Sequence, residues 1–338
     1  MRSASIRIRF LLMVSITLLV TACGFDNTSD KNTDTVRLVE VTHSIFYAPQ
    51  YVAINKGFFK DEGIDLQLSS AFGGDKAMTA LLSGHADIAL SGAETAVYVS
   101  AQGAQHPVIG FAQLTQKDGS FLVSRKPVKQ FDWNDLKGKE LLGQRKGGMP
   151  EMVSEYVQRK NGLKPHKDLK IIQNVDFKNL GGAFASGTGD YVQLFEPIAS
   201  KMEQEGTGHV VASFGKDSGN LPYTVYMSKK NYIEKHPDLV KRFTRAIHRG
   251  QRWVQSHSAE EIADVIQPDF KGTSRDILIK VIHRYKSQNT WASDPLIDRK
   301  EYQRMLQIME QAGELPSSVP YETVIQTNIA EKVIQKEP

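Results

Sequence analysis

Short apolar runs alternate with stretches of helical spacing along most of the chain, the pattern of an α/β architecture. Val36 to Val41 reads as a first strand, and Pro49 to Lys56 as a helix with proline in its first turn and Gly57 just past its end. Ile64, Leu66 and Leu68 alternate as a second strand; Met78, Leu81 and Leu82 lie at helical spacing, stopped by Gly84. Ala86 to Leu90 predicts a third strand, Glu94 to Ala101 a helix closed by Gly103, Val108 to Leu114 a fourth strand and Phe121 to Ser124 a further one. A second unit opens at Asp135-Leu136-Lys137-Gly138-Lys139, which turns into the strand Glu140 to Gly143. Gly147-Gly148-Met149-Pro150 then starts a helix whose apolar face is Val153, Tyr156 and Val157 and which ends at Gly162. Strands are predicted at Leu169 to Val175, Tyr191 to Phe195, His209 to Ser213 and Tyr223 to Ser228. The last third is helical: Val240, Phe243, Ile247, Gly250 and Val254 form one stripe. Ser258 with Glu261 and Thr273 with Asp276 have capping-box spacing, and helices are expected over Glu301 to Gln311 and Tyr321 to Ile334.

The first residues follow a different rule. Arg2, Arg7 and Arg9 precede an apolar run from Phe10 to Val20 and then Thr21-Ala22-Cys23. That is the grammar of an export signal, and the run is shorter than the about 20 residues a membrane span needs. Val20-Thr21-Ala22-Cys23 resembles the bacterial lipobox. The resemblance implies that residues 1–22 are removed and that Cys23 carries lipid, holding the remainder on the extracytoplasmic face of the cell membrane. Asp26 to Thr35 is polar and cannot pack, so residues 23–35 are expected to be a flexible tether.

Composition narrows the function. The 338 residues are 40% hydrophobic and 24% charged, which suits a soluble protein of about two domains or lobes. The net charge of +4 owes three units to Arg2, Arg7 and Arg9, so removing the signal leaves no charge excess to suggest nucleic acid. Cys23 is the single cysteine, which rules out an internal disulfide or a cysteine-ligated zinc. No nucleophile elbow, His-Glu-x-x-His pair, P-loop or Cys-x-x-Cys is present. The nine histidines have no ligand spacing, so neither cofactor nor metal is expected.

Phe46-Tyr47-Ala48-Pro49-Gln50-Tyr51-Val52-Ala53, Gly57-Phe58-Phe59, Glu62-Gly63-Ile64, Gly73-Gly74 and Leu82-Ser83-Gly84-His85-Ala86-Asp87-Ile88-Ala89 follow one another. Asp135 to Lys139, Gly187 to Asp190 and Phe195-Glu196-Pro197 come later in the chain. In this order they resemble the solute-binding proteins of the nitrate, sulfonate, taurine and thiamine-pyrimidine group. The resemblance implies a type II periplasmic-binding-protein fold: two α/β lobes joined by two crossover strands, with the ligand between them. The crossovers are expected near Phe121–Lys126 and Tyr223–Lys229. That makes lobe one residues 36–125 and 226–338, and lobe two residues 126–225. It also implies a monomeric receptor whose partners are a small solute, an ABC permease and its ATPase. Pyrimidine synthases of the wider family share the fold but carry a cysteine-rich segment that this chain lacks. An enzyme of that kind, or an exported sensor module, is the alternative reading.

Open α/β sheets bind ligands at the carboxyl ends of strands, and four such turns stand out. In the first, Phe46 and Tyr47 can wall a flat ligand while His43 and Ser44 hydrogen-bond it; each can equally be a packed turn residue. In the second, Ser91, Gly92 and Glu94 begin a helix, where Glu94 either meets a ligand or only complements the helix dipole. In the third, Gly147, Gly148 and Met149 present backbone N–H groups suited to an anionic head group, with Arg145 just before them. In the fourth, the Glu196 carboxylate either accepts from an aminopyrimidine-like edge or caps the helix after Pro197. The first, second and fourth turns hold no arginine, which tilts the expectation towards an aromatic or amine-bearing solute over a sulfonate or nitrate. A basic stripe, Lys241, Arg245, Arg249 and Arg252, is expected to be a solvated face.

Overall fold

The computed structural model describes residues 33–104 and 107–336. The export signal, Cys23 and the tether up to residue 32 lie outside the described residues. Two five-stranded sheets organise the rest. The first contains β1 (Asp34–Glu40), β2 (Ile64–Ser70), β3 (Ile88–Gly92), β4 (Val108–Thr115) and β10 (Thr224–Lys229), in the order β2-β1-β3-β10-β4. The second contains β5 (Ser120–Ser124), β6 (Glu140–Leu142), β7 (Lys170–Ile172), β8 (Tyr191–Phe195) and β9 (His209–Ser213), in the order β7-β6-β8-β5-β9. β1, β2 and β3 run parallel, and β10 lies antiparallel between β3 and β4. β3 to β5 and β8 are buried along their whole length, which explains their unbroken apolar runs.

The chain passes between the sheets earlier than the sequence suggests. Phe121 already pairs with Leu194 of β8 and Ser213 of β9, so Phe121–Lys126 lies within the second lobe. Thr224 onward likewise belongs to the first sheet. The two crossings are therefore the short segments 116–119 and 219–223. The strand expected over Leu169 to Val175 shrinks to Lys170–Ile172.

The helices of eight residues or more are α1 (Ala48–Asn55), α2 (Gly74–Ser83), α3 (Glu94–Ala101), α4 (Met149–Lys160), α5 (Ile198–Glu205), α6 (Pro237–Ser256), α7 (Ala259–Ile266), α8 (Arg275–Ser287) and α9 (Arg299–Gln311). Their starts follow local chemistry. Ser258 and Glu261 cap α7 reciprocally, and Ser274, one residue after the expected Thr273, caps α8. α6 buries Val240, Phe243, Ile247 and Val254, each worth about 2 kcal/mol removed from water. It also lies so close to α1 that a Cβ on Gly250 would sit 2.3 Å from the Pro49 carbonyl oxygen. This contact fixes α1, and with it the Phe46–Tyr47 turn at its start. On the same helix Arg245 pairs with Glu62 at 2.6 Å and Arg249 with Asp61 at 2.7 Å, so part of the basic stripe braces lobe one.

Candidate ligand-binding site

The carboxyl ends of β1, β3 and β4 face the second lobe, and the two lobes meet there. Ser44 caps the turn Ile45–Tyr47 by accepting from the Phe46 N–H, and its hydroxyl donates to the Glu196 carbonyl of lobe two at 3.0 Å. Tyr98 on α3 donates to the Gly147 carbonyl at 3.0 Å. The Met149 N–H, at the start of α4, donates to Glu94 Oε1 at 3.3 Å. At the rim Arg145 pairs with Asp75 at 2.6 Å.

Aromatic rings line this junction. Phe46 is buried with its centroid 5.6 Å from each of Phe195, Tyr223 and Tyr285 and 5.4 Å from Tyr47. Gly119, in the first crossing, makes room for it: a Cβ there would be 2.4 Å from the ring. Trp291 Nε1 donates to the Phe46 carbonyl, and the Tyr285 hydroxyl to the Gly119 carbonyl, so the ring and the crossing are held from behind.

Three polar side-chain atoms around these rings, Ser91 Oγ, Glu94 Oε2 and Gln193 Oε1, are buried without a hydrogen-bond partner, while the buried Tyr223 hydroxyl and Asp118 carboxyl face each other. Buried polar atoms are nearly always paired, and each unpaired one costs about 1–3 kcal/mol. Gln193 and Asp118 are linked through Ser120. Gln193 donates to the Ser120 hydroxyl, which donates to Asp118 Oδ1; Gln193 also donates to the Pro150 carbonyl beside Met149. The Tyr223 phenol is pushed well above its ordinary range by burial, by the charge of Asp118 and its hydrogen bond to that carboxylate, and by the Glu94 carboxylate. Ser91 faces the start of α2, where a Cβ on Gly74 would be 3.2 Å from its Oγ.

The charge balance is one-sided. Burial pushes the Glu94 carboxyl up to about 7, against the backbone N–H groups of Glu94 and Met149 that favour its ionised form. Burial raises Asp118 to about 6, opposed by its bonds from Ser120 and Tyr223. No cationic side chain among the described residues bonds to either acid. Gly92 is part of the same arrangement, since a Cβ there would collide with the Glu94 carboxylate, 2.0 Å from its Oε2.

Not all the expected residues meet here. Ser44, Phe46, Tyr47, Ser91, Gly92, Glu94, Gly147, Gly148 and Met149 belong to the junction or its immediate supports. His43 does not offer a free nitrogen: Nδ1 meets Glu40 and Tyr51, Nε2 meets the Asp269 carbonyl, and the ring stacks on Phe270. Glu196 is corrected as well. Its Oε2 accepts from the Ser200 N–H, capping α5, and its Oε1 accepts from the Ser200 hydroxyl and Arg284, leaving nothing for an aminopyrimidine edge. Asp118, Ser120 and Gln193 carry no distinguishing mark in the sequence, and Tyr223 only its place at the start of the expected second crossing. An open groove of about 440 Å³ along β9, lined by Trp133, Val210 and Lys216, uses none of the junction residues.

Two lobes of this topology, with polar groups converging on their seam, define a type II periplasmic-binding-protein fold. The chain belongs to the NMT1/THI5-like family, whose model matches residues 45–261. It is 53% identical over 330 residues to "Putative binding protein YtlA" of Bacillus subtilis (strain 168), covering 97% of this chain and 98% of that one. A "Putative aliphatic sulfonates-binding protein" of the same organism is 23% identical over 96% of both chains. Among solved structures, the alkanesulfonate-binding protein SsuA from Xanthomonas axonopodis pv. citri, bound to MOPS, superimposes with a TM-score of 0.69 at 16% identity, over 87% of this chain and 98% of that one.

Proposed function

We propose that this protein is the extracytoplasmic solute-binding component of an ABC importer, held to the membrane by lipid on Cys23. Its cargo is a small amine-bearing solute, of which an aminopyrimidine is one form. The solute enters between the open lobes, contacts both and favours the closed state, which docks on the permease; nothing happens to it chemically. The observation that carries the cargo class is the buried, unpaired carboxylate oxygen Glu94 Oε2, with a second buried acid, Asp118, across Tyr223, no bonded cation on either and aromatic rings alongside. An ammonium or amidine supplies both the donor that Glu94 lacks and the missing charge.

A second reading, a sulfonate or nitrate, is favoured by the Met149 N–H at the start of α4 and by the name of one relative. It requires a protonated Glu94. Thermal-shift titration against aminopyrimidines, aliphatic amines, sulfonates, taurine and nitrate separates the two. Saturable stabilisation by amines alone is expected. Stabilisation by sulfonate or nitrate alone defeats the amine reading, and turnover of any compound defeats the receptor reading in favour of a pyrimidine-synthase-like enzyme. Mass spectrometry of the mature N-terminus tests the lipid on Cys23.

A further inference from the structure

A second polar pocket lies at the opposite end of the first sheet. β10 begins at Thr224, beside the seam, and ends at Lys229, roughly 17 Å away along the strand. There a cavity of about 250 Å³ is lined by Arg37, Lys229, Asn231, Tyr232, Lys235 and His236, together with Gly84, Ala86 and Asp87. Its one acid is already committed. Asp87 Oδ2 accepts from the Arg37 N–H and Nε, and Oδ1 accepts from Nη2. Arg37 also donates to the Gly84 carbonyl. The ammonium groups of Lys229 and Lys235, by contrast, bond to no described residue. Lys229 Nζ lies beside Gly84, 3.8 Å from where a Cβ would stand. The His236 ring packs on Tyr232 at 4.7 Å, which holds it at the rim.

Two unpaired ammonium groups, a guanidinium fixed in place and an imidazole around one small cavity make a site for a compact, multiply charged oxyanion. We propose that this pocket binds a phosphate group, as a free phosphate or as the phosphate of a mono- or diester. Lys229 and Lys235 supply the charge, Arg37 and Asn231 further donors. Phosphate fits better than a carboxylate because its tetrahedral oxygens can be shared among donors that converge from β1, β10 and the short helix Lys230–Lys235. The site is independent of the cargo cleft and of the cargo's identity.

Hydrogen exchange of the full-length protein, at constant ionic strength with chloride replaced stepwise by inorganic phosphate, tests the proposal. Saturable slowing of amides 84–87 and 229–236 is expected, with the seam amides unchanged. Lys229→Ala/Lys235→Ala should abolish it, while Lys178→Ala, on the exposed surface of the second lobe, should not. A second arm uses vesicles of phosphatidylcholine with or without phosphatidylglycerol. Protection by inorganic phosphate supports a soluble ligand, and protection by anionic vesicles alone supports a lipid headgroup. Absence of protection in both arms overturns the site. So does equal protection by chloride and phosphate, or protection that survives in the double variant.

Discussion

Glu94→Gln should stabilise the empty protein while weakening its hold on an amine. The Glu94 carboxyl rises from 4.5 to about 7 because it is buried and unpaired on one oxygen. Between those values the folded chain keeps a proton that the unfolded chain has lost. Stability therefore declines as pH rises through that window and levels off above about 7, once the folded group also ionises. The shift corresponds to roughly 3 kcal/mol of destabilisation at alkaline pH. Glutamine removes the charge, so the unliganded variant should melt several degrees higher at about pH 8, with little difference at about pH 4. Binding should move the other way. Loss of a charge-assisted hydrogen bond costs about 1.5–3 kcal/mol, or roughly ten- to a hundredfold in Kd. Wild type should bind an amine roughly tenfold more weakly at pH 6 than at pH 8, because ionised Glu94 pairs with it; the variant should keep at most about a twofold dependence, from Asp118, which titrates at about 6. Differential scanning fluorimetry and titration calorimetry read both effects. A variant that melts no higher than wild type and binds with unchanged affinity at both pH values refutes the reasoning, as does amine binding that strengthens on acidification.

Gly119→Ala forces a Cβ to within 2.4 Å of the Phe46 ring and should cost about 1–3 kcal/mol with weakened cargo binding, seen by denaturant melts and titration. Glu196→Ala should lower stability by about 3 kcal/mol, because Arg284 loses a buried partner and α5 its cap, while the folded fraction binds cargo normally in calorimetry. Arg145→Ala removes an exposed rim pair with Asp75 and should change Kd by no more than about fivefold, since such pairs contribute at most about 1 kcal/mol.

Periodicity carried most of the architecture. Strands such as Phe121–Ser124 and Tyr191–Phe195 are buried on both faces and bounded by glycine or polar turns, so they declare themselves without context. The helix after Gly147-Gly148 was equally legible, because proline, an early glutamate and late basic residues mark its polarity. Sheet membership was not. Nothing within Phe121–Lys126 distinguishes a strand crossing between lobes from one paired inside the second; the partner strands β8 and β9 decide it. The candidate site divides the same way. Glu94 could be singled out from its place at a helix start. Asp118 reads as an ordinary turn residue in Lys117-Asp118-Gly119, and only burial against Tyr223 makes it chemically unusual. Glu196 looked available because the residue that occupies it, Arg284, is 88 positions away.

The placing of β10 between β3 and β4 bears on how the chain acquires its shape. Every strand of the second sheet lies within 120–213, so that sheet can be complete as soon as its own segment has been synthesised. The other sheet must wait: β3 and β4 emerge with a vacant slot between two apolar strands until residue 229 arrives to close it. Two naked edges held open for more than a hundred residues are an invitation to stray pairing. The later-numbered sheet should thus be the first to assemble, and the nascent chain most in need of chaperoning just before its last strand is delivered.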